Sequence, residues 1–127
     1  FVSERDTNRE VYVVEVREDG SVSQQVNITN NPAEDWSPVW SPDSKRVVFI
    51  SDRSEGPDIF IVDAEGGDPT PLTANSFDEF AVDFGPSGSL VFTSTPGGKP
   101  DLFVMDAGAV EQARLTSDDR PNTQPHW

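Results

Sequence analysis

The chain has 127 residues, with 23 Asp and Glu against 9 Lys and Arg, a formal charge of −14 and no cysteine. That length holds one hydrophobic core rather than two, and the charge repels the phosphate backbone of a nucleic acid. Disulfides, thiolate chemistry and Cys-based zinc sites are excluded, and no apolar run approaches the roughly 18 residues a spanning helix needs.

The N-terminal Phe1-Val2-Ser3-Glu4-Arg5 has neither an initiator Met nor an apolar export-signal core, so the chain is expected to be a processed or excised product. Phe1 to Ser3 and Val11 to Glu15 are short β-forming runs. Asp35 to Trp40 mixes apolar and polar positions and ends on an aromatic, and Lys45 to Ser51 is rich in β-branched and aromatic residues. Asp58 to Asp63 is a short apolar run that fits a strand covered on both faces. Phe80 to Phe84, Ser89 to Ser94 and Asp101 to Asp106 repeat this series, and Asn122 to Trp127 begins it again. Gly56-Pro57, Gly66-Gly67 and Gly97-Gly98 break the runs at intervals too short for helices. In Ser41-Pro42-Asp43-Ser44, Pro42 presets the second turn position and Asp43 accepts from its own downstream backbone; Gly85-Pro86-Ser87-Gly88 rebuilds the same turn with Gly last.

The series is a repeat. ITNNPAEDWSPVW from Ile28, LTANSFDEFAVDF from Leu72 and LTSDDRPNTQPHW from Leu115 share one spacing, and their final aromatics Trp40, Phe84 and Trp127 stand 44 and 43 positions apart. A second block recurs as FVSERDTNREVYVVE from Phe1, FISDRSEGPDIFIVD from Phe49 and FTSTPGGKPDLFVMD from Phe92. A period of roughly 40–45 residues with four short strands is that of a propeller blade.

The string WSPDSKRVVFISDRSEGPDIFIVDAEGGDPTPLT, Trp40 to Thr73, resembles the TolB-type β-propeller repeat, with W-S-P-D-G-K, an apolar strand, S-D-R, a Gly turn, I-Y-x-M-D and R-L-T. Ser44 stands where that pattern has Gly, Phe84-Gly85 where it has Trp-Ser, and Thr95-Pro96 where Asp52-Arg53 stands in the preceding unit. The expected fold is all-β: one β-propeller segment over 1–127, about three four-stranded blades at roughly 1–29, 30–73 and 74–116, with 122–127 as a further innermost strand. With strands lettered A to D from the axis outward, the register is B-C-D, A-B-C-D, A-B-C-D, A. Three blades do not close a ring, since propellers take about four to eight. The resemblance implies a six-bladed ring, reached by a homodimer or as part of a longer chain. Either way Trp40, Phe49, Phe60, Phe84, Phe92 and Phe103 are expected to line radial faces that stand open in a partial ring.

Catalysis has little material. His126 is the one imidazole, one residue before Trp127, and no G-x-S-x-G elbow occurs; a strand histidine at the channel or an interface is the expectation. The many carboxylates form no distinguishable glycosidase pair. No cofactor is expected. Calcium alone has donors to weigh, in Asp6 to Glu10 and Asp52 to Asp58, but both lack the spacing of an EF loop and read as polar turns.

The topology points instead to binding. Loops from D to A and from B to C emerge on one rim, bringing Arg5, Asp35, Trp36, Asp52, Arg53, Glu79, Phe80 and Arg120 toward a face where charges surround aromatic anchors. The same residues also suit an internal role, with Asp52-Arg53 and Glu4-Arg5 tying neighbouring blades and Trp36 and Phe80 as core wedges. The resemblance implies a non-enzymatic scaffold of the periplasm that holds a protein partner such as an envelope lipoprotein. The alternatives are the propeller portion of a prolyl-oligopeptidase-like peptidase and a cation-binding propeller.

Overall fold

The structure, a computed structural model, describes residues 1–109, 111–118 and 120–127. Its strands fall in three antiparallel sheets. Blade 1 comprises β1 (Val2–Ser3), β2 (Glu10–Val13) and β3 (Val26–Asn27). Blade 2 holds β4 (Asp35–Trp40), β5 (Arg46–Ser51), β6 (Asp58–Asp63) and β7 (Thr70–Pro71). Blade 3 holds β8 (Glu79–Phe84), β9 (Ser89–Ser94), β10 (Asp101–Asp106) and β11 (Gln112–Arg114). Strands pair in sequence order within every sheet, and a single short 3₁₀ turn, Pro96–Gly98, interrupts the pattern among the described residues.

The alternation of side chains explains why the sheets stack side by side. From β5 and β6, Val47, Phe49, Phe60 and Val62 pack with Val11 and Ile28 of blade 1. The intervening residues, Val48, Ile50, Ile59 and Ile61, pack with Val82, Leu90, Phe92 and Met105 of blade 3. Blade 2 is thus buried on both faces, as a middle vane must be, and each large side chain so covered contributes about 1.5–3 kcal/mol. Phe49, Phe60 and Phe92 are therefore interior wedges rather than residues of an open radial face. Trp40 is the member of that set that stays half exposed.

The turn expectations hold in detail. Ser44 N–H donates to Ser41 O at 2.9 Å and Gly88 N–H to Gly85 O at 3.0 Å, closing equivalent turns. Asp43 Oδ1 accepts from Lys45 N–H at 3.1 Å and from Ser41 Oγ at 2.6 Å. Ser44 sits at φ 58° and Gly88 at φ 89°, so the serine occupies a left-handed position that glycine takes more easily.

Two features depart from the expectation. The innermost strands β4 and β8 each carry a bulge, at Ser37 (φ 51°) and Ala81 (φ 48°), one residue beyond Trp36 and Phe80. Residues 122–127 form no strand. They keep the innermost-strand conformation, with Gln124 at φ 57° matching Ser37 and Ala81, but no second strand lies alongside to form a ladder. The segment instead follows blade 3. Asn122 N–H donates to Pro100 O at 2.9 Å, Trp127 N–H to Asp83 Oδ2 at 3.2 Å, and the Trp127 ring lies over Gly85, where a Cβ would come within 2.6 Å of it.

Candidate functional site

One rim is built from the loops between the first and second blade edges, and a repeated hydrogen-bond code fixes them. The residue that opens each innermost strand donates its N–H to a carbonyl of the preceding blade's middle loop, Asp35 to Arg9 O at 2.8 Å and Glu79 to Pro57 O at 2.8 Å, and Asn122 at the same repeat position does so to Pro100 O at 2.9 Å. The threonine ending each repeat accepts from a β-strand amide: Thr29 from Val11 at 3.0 Å, Thr73 from Ile59 at 2.8 Å and Thr116 from Leu102 at 3.0 Å. Each of these hydroxyls then donates to the acid opening the same strand, Glu10, Asp58 or Asp101. That is the physical content of the recurrent Ile/Leu-Thr pair.

Loop tips meet as the topology requires. Asn8 Nδ2 donates to Asn31 O at 2.8 Å and Ala33 O at 2.6 Å. Asp52 Oδ1 accepts from Glu34 N–H at 2.8 Å, and Asp78 N–H reaches Thr95 Oγ1 at 3.3 Å. Arg9 Nε lies 2.7 Å from Glu34 Oε2, and this arginine's hydrogen bond holds the Glu34 carboxyl below its usual range. The Arg9 guanidinium stands 4.9 Å over the Trp36 ring.

The expected rim residues separate into internal and outward groups. Asp35 is fully buried, and Arg53 Nη2 reaches its two oxygens at 2.9 and 3.0 Å while Arg53 Nε donates to Ser51 Oγ at 2.8 Å. The guanidinium also lies 5.3 Å from the Phe49 ring and 5.0 Å from Phe60, which are stacked on each other at 6.0 Å. Arg53 thereby ties the β5–β6 loop to the start of β4 within one blade, not one blade to the next. Burial pushes the Asp35 carboxyl up from its ordinary value, and the Ser51 and Arg53 bonds oppose that shift. Arg5 is the counterpart in blade 1: its Nε donates to Ser3 Oγ at 2.9 Å, it bonds to Gln25, and it lies 4.3 Å over Tyr12.

Glu79 holds the same place in blade 3 as Asp35 does in blade 2, and it is likewise fully buried. Its Oε1 accepts from Ser94 Oγ at 2.9 Å and Asn75 Nδ2 at 3.1 Å, while Oε2 has no hydrogen-bond partner. Burial pushes its pKa up to about 7, against the opposing hydrogen bonds of Asn75 and Ser94, and the neighbouring Asp58 carboxyl adds to the rise. Sequence reasoning placed Glu79 on the rim but missed that it is unpaired; the signal was Pro96 at the position of Arg53. Phe80 is exposed, as are Phe77 and Arg120. Trp36 is half-buried beneath Arg9 and packs on the core between blades 2 and 3.

In the first of the weighed cation loops Asp6 bonds Tyr12 and Asn27, and Glu10 bonds Asn8, Thr29 and the Asn31 amide; in the second, Asp52 accepts from the Glu34 amide and Asp58 from Thr73. Among the described residues no group of three or more His, Asp or Glu side chains is arranged to hold a metal ion. His126 Nδ1 is 2.6 Å from Asp83 Oδ2, with its ring exposed. Among the same residues no helix is long and apolar enough to cross a membrane.

Radially adjacent antiparallel sheets of three, four and four strands, with the middle one wedged on both faces, define a β-propeller segment that forms part of a ring. Its repeat is similar to that of TolB proteins. The chain is 37% identical over 59 residues to the Tol-Pal system protein TolB of Bordetella pertussis, a match covering 46% of this chain and 13% of that protein. The match thus spans about an eighth of the curated relative's length. TolB of Acinetobacter baumannii superposes with TM-score 0.67 at 27% identity, over 84% of this chain and 27% of that one. A TolB-type protein of Agrobacterium tumefaciens gives TM-score 0.79 at 20% identity, over 98% and 44% of the two chains. Puromycin hydrolase gives TM-score 0.73 at 17% identity, over 86% of this chain and 18% of the other, a likeness of fold. No family model matches the chain.

Proposed function

We propose that the chain is a non-catalytic binding module of the TolB kind, which holds a protein partner of a Tol-Pal-like system on the rim where its loops converge, in an extracytoplasmic compartment. The observation that carries this reading is the exposure of Phe77, Phe80 and Arg120 on loops and strand starts that the hydrogen-bond code fixes to one side. Aromatic side chains beside arginine are enriched at interface hot spots. The peptidase alternative draws on the puromycin hydrolase likeness, which at 17% identity speaks for fold and not for activity.

The test is calorimetric titration of the protein with purified Pal of the Bordetella pertussis Tol-Pal system. Saturable binding, weakened at least tenfold by Phe80→Ala or Arg120→Glu, is the expected result. Absence of binding, or binding untouched by both substitutions, overturns the reading.

A further inference from the structure

Blade 2 and blade 3 have the same parts around the buried acid, save one. Both middle loops run the same length, from Ser51 to Asp58 and from Ser94 to Asp101, so Pro96 falls where Arg53 stands. In blade 2 the arginine head is surrounded by four features: the acid Asp35, the hydroxyl of Ser51 and the stacked rings of Phe49 and Phe60. Blade 3 has the acid Glu79, the hydroxyl of Ser94 and the rings of Phe92 and Phe103 stacked at 5.8 Å. No arginine stands at the place of Arg53, where Pro96 is found; among the described residues Glu79 Oε2 is buried without a hydrogen-bond donor, and a second acid, Asp58, neighbours it. A groove of about 550 Å³ lies against this cluster, lined by Leu72, Asn75, Phe77, Ser94, Phe103 and Gln112 among others. No basic side chain lines it. The corresponding groove between blades 1 and 2, lined by Ile28, Asn31 and Pro69 at the repeat-equivalent places, has Arg53 in its wall.

We infer that the Glu79 cluster is a guanidinium-binding site, filled by an arginine side chain of the protein partner in the way Arg53 fills its counterpart in cis. The carboxylate supplies charge-assisted hydrogen bonds and the Phe92–Phe103 pair a π surface, two features that favour arginine's planar head over a compact ammonium. Access displaces the Asn75 and Phe77 side chains on the loop before β8; Phe77 is already 40% exposed. The chain's net charge of −14 favours the encounter with a cationic segment. This inference rests on the reading of the rim as a partner-binding face and names the chemistry that face selects.

The probe is N-acetyl-arginine methylamide, titrated into the protein at pH 8 and followed by NMR of the Glu79 carboxyl and the Phe103 ring, with the neutral N-acetyl-citrulline methylamide alongside. Expected is binding at least tenfold tighter for the arginine compound, lost in Glu79→Gln and in Pro96→Arg, where the new side chain occupies the site in cis. Equal binding of the citrulline compound, or binding that survives Glu79→Gln, overturns the inference. So does calcium chloride displacing the probe at equal concentration, which would make the site a metal site. Should Pro96→Arg fail to fold, Ser94→Ala is the second variant, with at least a threefold loss expected and no loss counting against the site. Pal binding that persists in Glu79→Gln defeats this inference and leaves the rim reading standing; probe binding without any Pal binding does the reverse.

Discussion

Blades 2 and 3 share the lengths of their first three strands, their bulge positions and their turn positions, yet they solve the burial of an acid differently. At the head of β4, Asp35 is neutralised by Arg53, which is itself seated on two phenylalanine rings. At the head of β8, Glu79 has hydroxyl and amide donors on one oxygen and nothing on the other. Desolvation raises both carboxyls; Asp35 has a cation working against the rise, whereas Glu79, pushed up to about 7, has the Asp58 carboxyl adding to it. A repeat that keeps an acid and drops its arginine has exchanged an internal lock for a titratable, unpaired group. Buried polar groups left unsatisfied are rare in native folds, and broken local rules concentrate at functional or strained sites.

The contrast breaks most visibly at the two loop positions. Arg53→Ala leaves Asp35 buried without its counter-ion and is expected to cost about 3–5 kcal/mol by urea unfolding. Pro96→Ala, at the equivalent place, is expected to change stability by less than about 1 kcal/mol, because no ion pair is lost there. Equal effects at the two positions would contradict the comparison.

Next in size is the pH dependence. Glu79 binds its proton more tightly folded, at about 7, than its ordinary value of 4.5 allows in the unfolded chain. Between those values the folded state therefore holds more protons, and stability falls as pH rises from about 4.5 to 7, by roughly 3 kcal/mol in all, then levels off. The Asp58 carboxyl, which neighbours Glu79 from β6, adds to the rise of the Glu79 pKa. Glu79→Gln is expected to flatten the slope, as measured by urea midpoints at pH 5 and 8; an unchanged slope would assign it elsewhere.

The smallest effects come from the tight turns. Ser44→Gly relieves a left-handed serine and is expected to stabilise by about 0.5 kcal/mol, whereas Gly88→Ser at the matching place in blade 3 is expected to cost about 1 kcal/mol. Thermal melts of the two variants, moving in opposite directions, check this.

Much of the scaffold was legible in the sequence because it depends on short-range rules. The apolar runs 58–63 and 101–106 and the β-branched, aromatic run 89–94 became strands with those bounds, and the Pro42 and Pro86 turns closed as their chemistry dictates. The bulges at Ser37 and Ala81 were not legible, since non-glycine residues in the left-handed region have no propensity signal of their own. Residues 122–127 were read as a strand from their repeat position, but a strand also needs a neighbour, and the conformation alone survives. The candidate site was half legible. Its residues were named from loop topology, but whether Arg53 faces outward or inward depends on the distance from one strand head to one loop, which spacing does not encode. The loss of Asp-Arg at Thr95-Pro96 was visible as a departure; its meaning required seeing Asp35 and Arg53 in contact.

The most direct measurement is a carbon-13 NMR titration of the Glu79 side-chain carboxyl in the protein and in Pro96→Arg. The account predicts a midpoint near 7 in the first, as burial without a counter-ion demands, and a fall of at least one pH unit in the second. A Glu79 midpoint in the ordinary carboxylate range, unmoved by the added arginine, would contradict it.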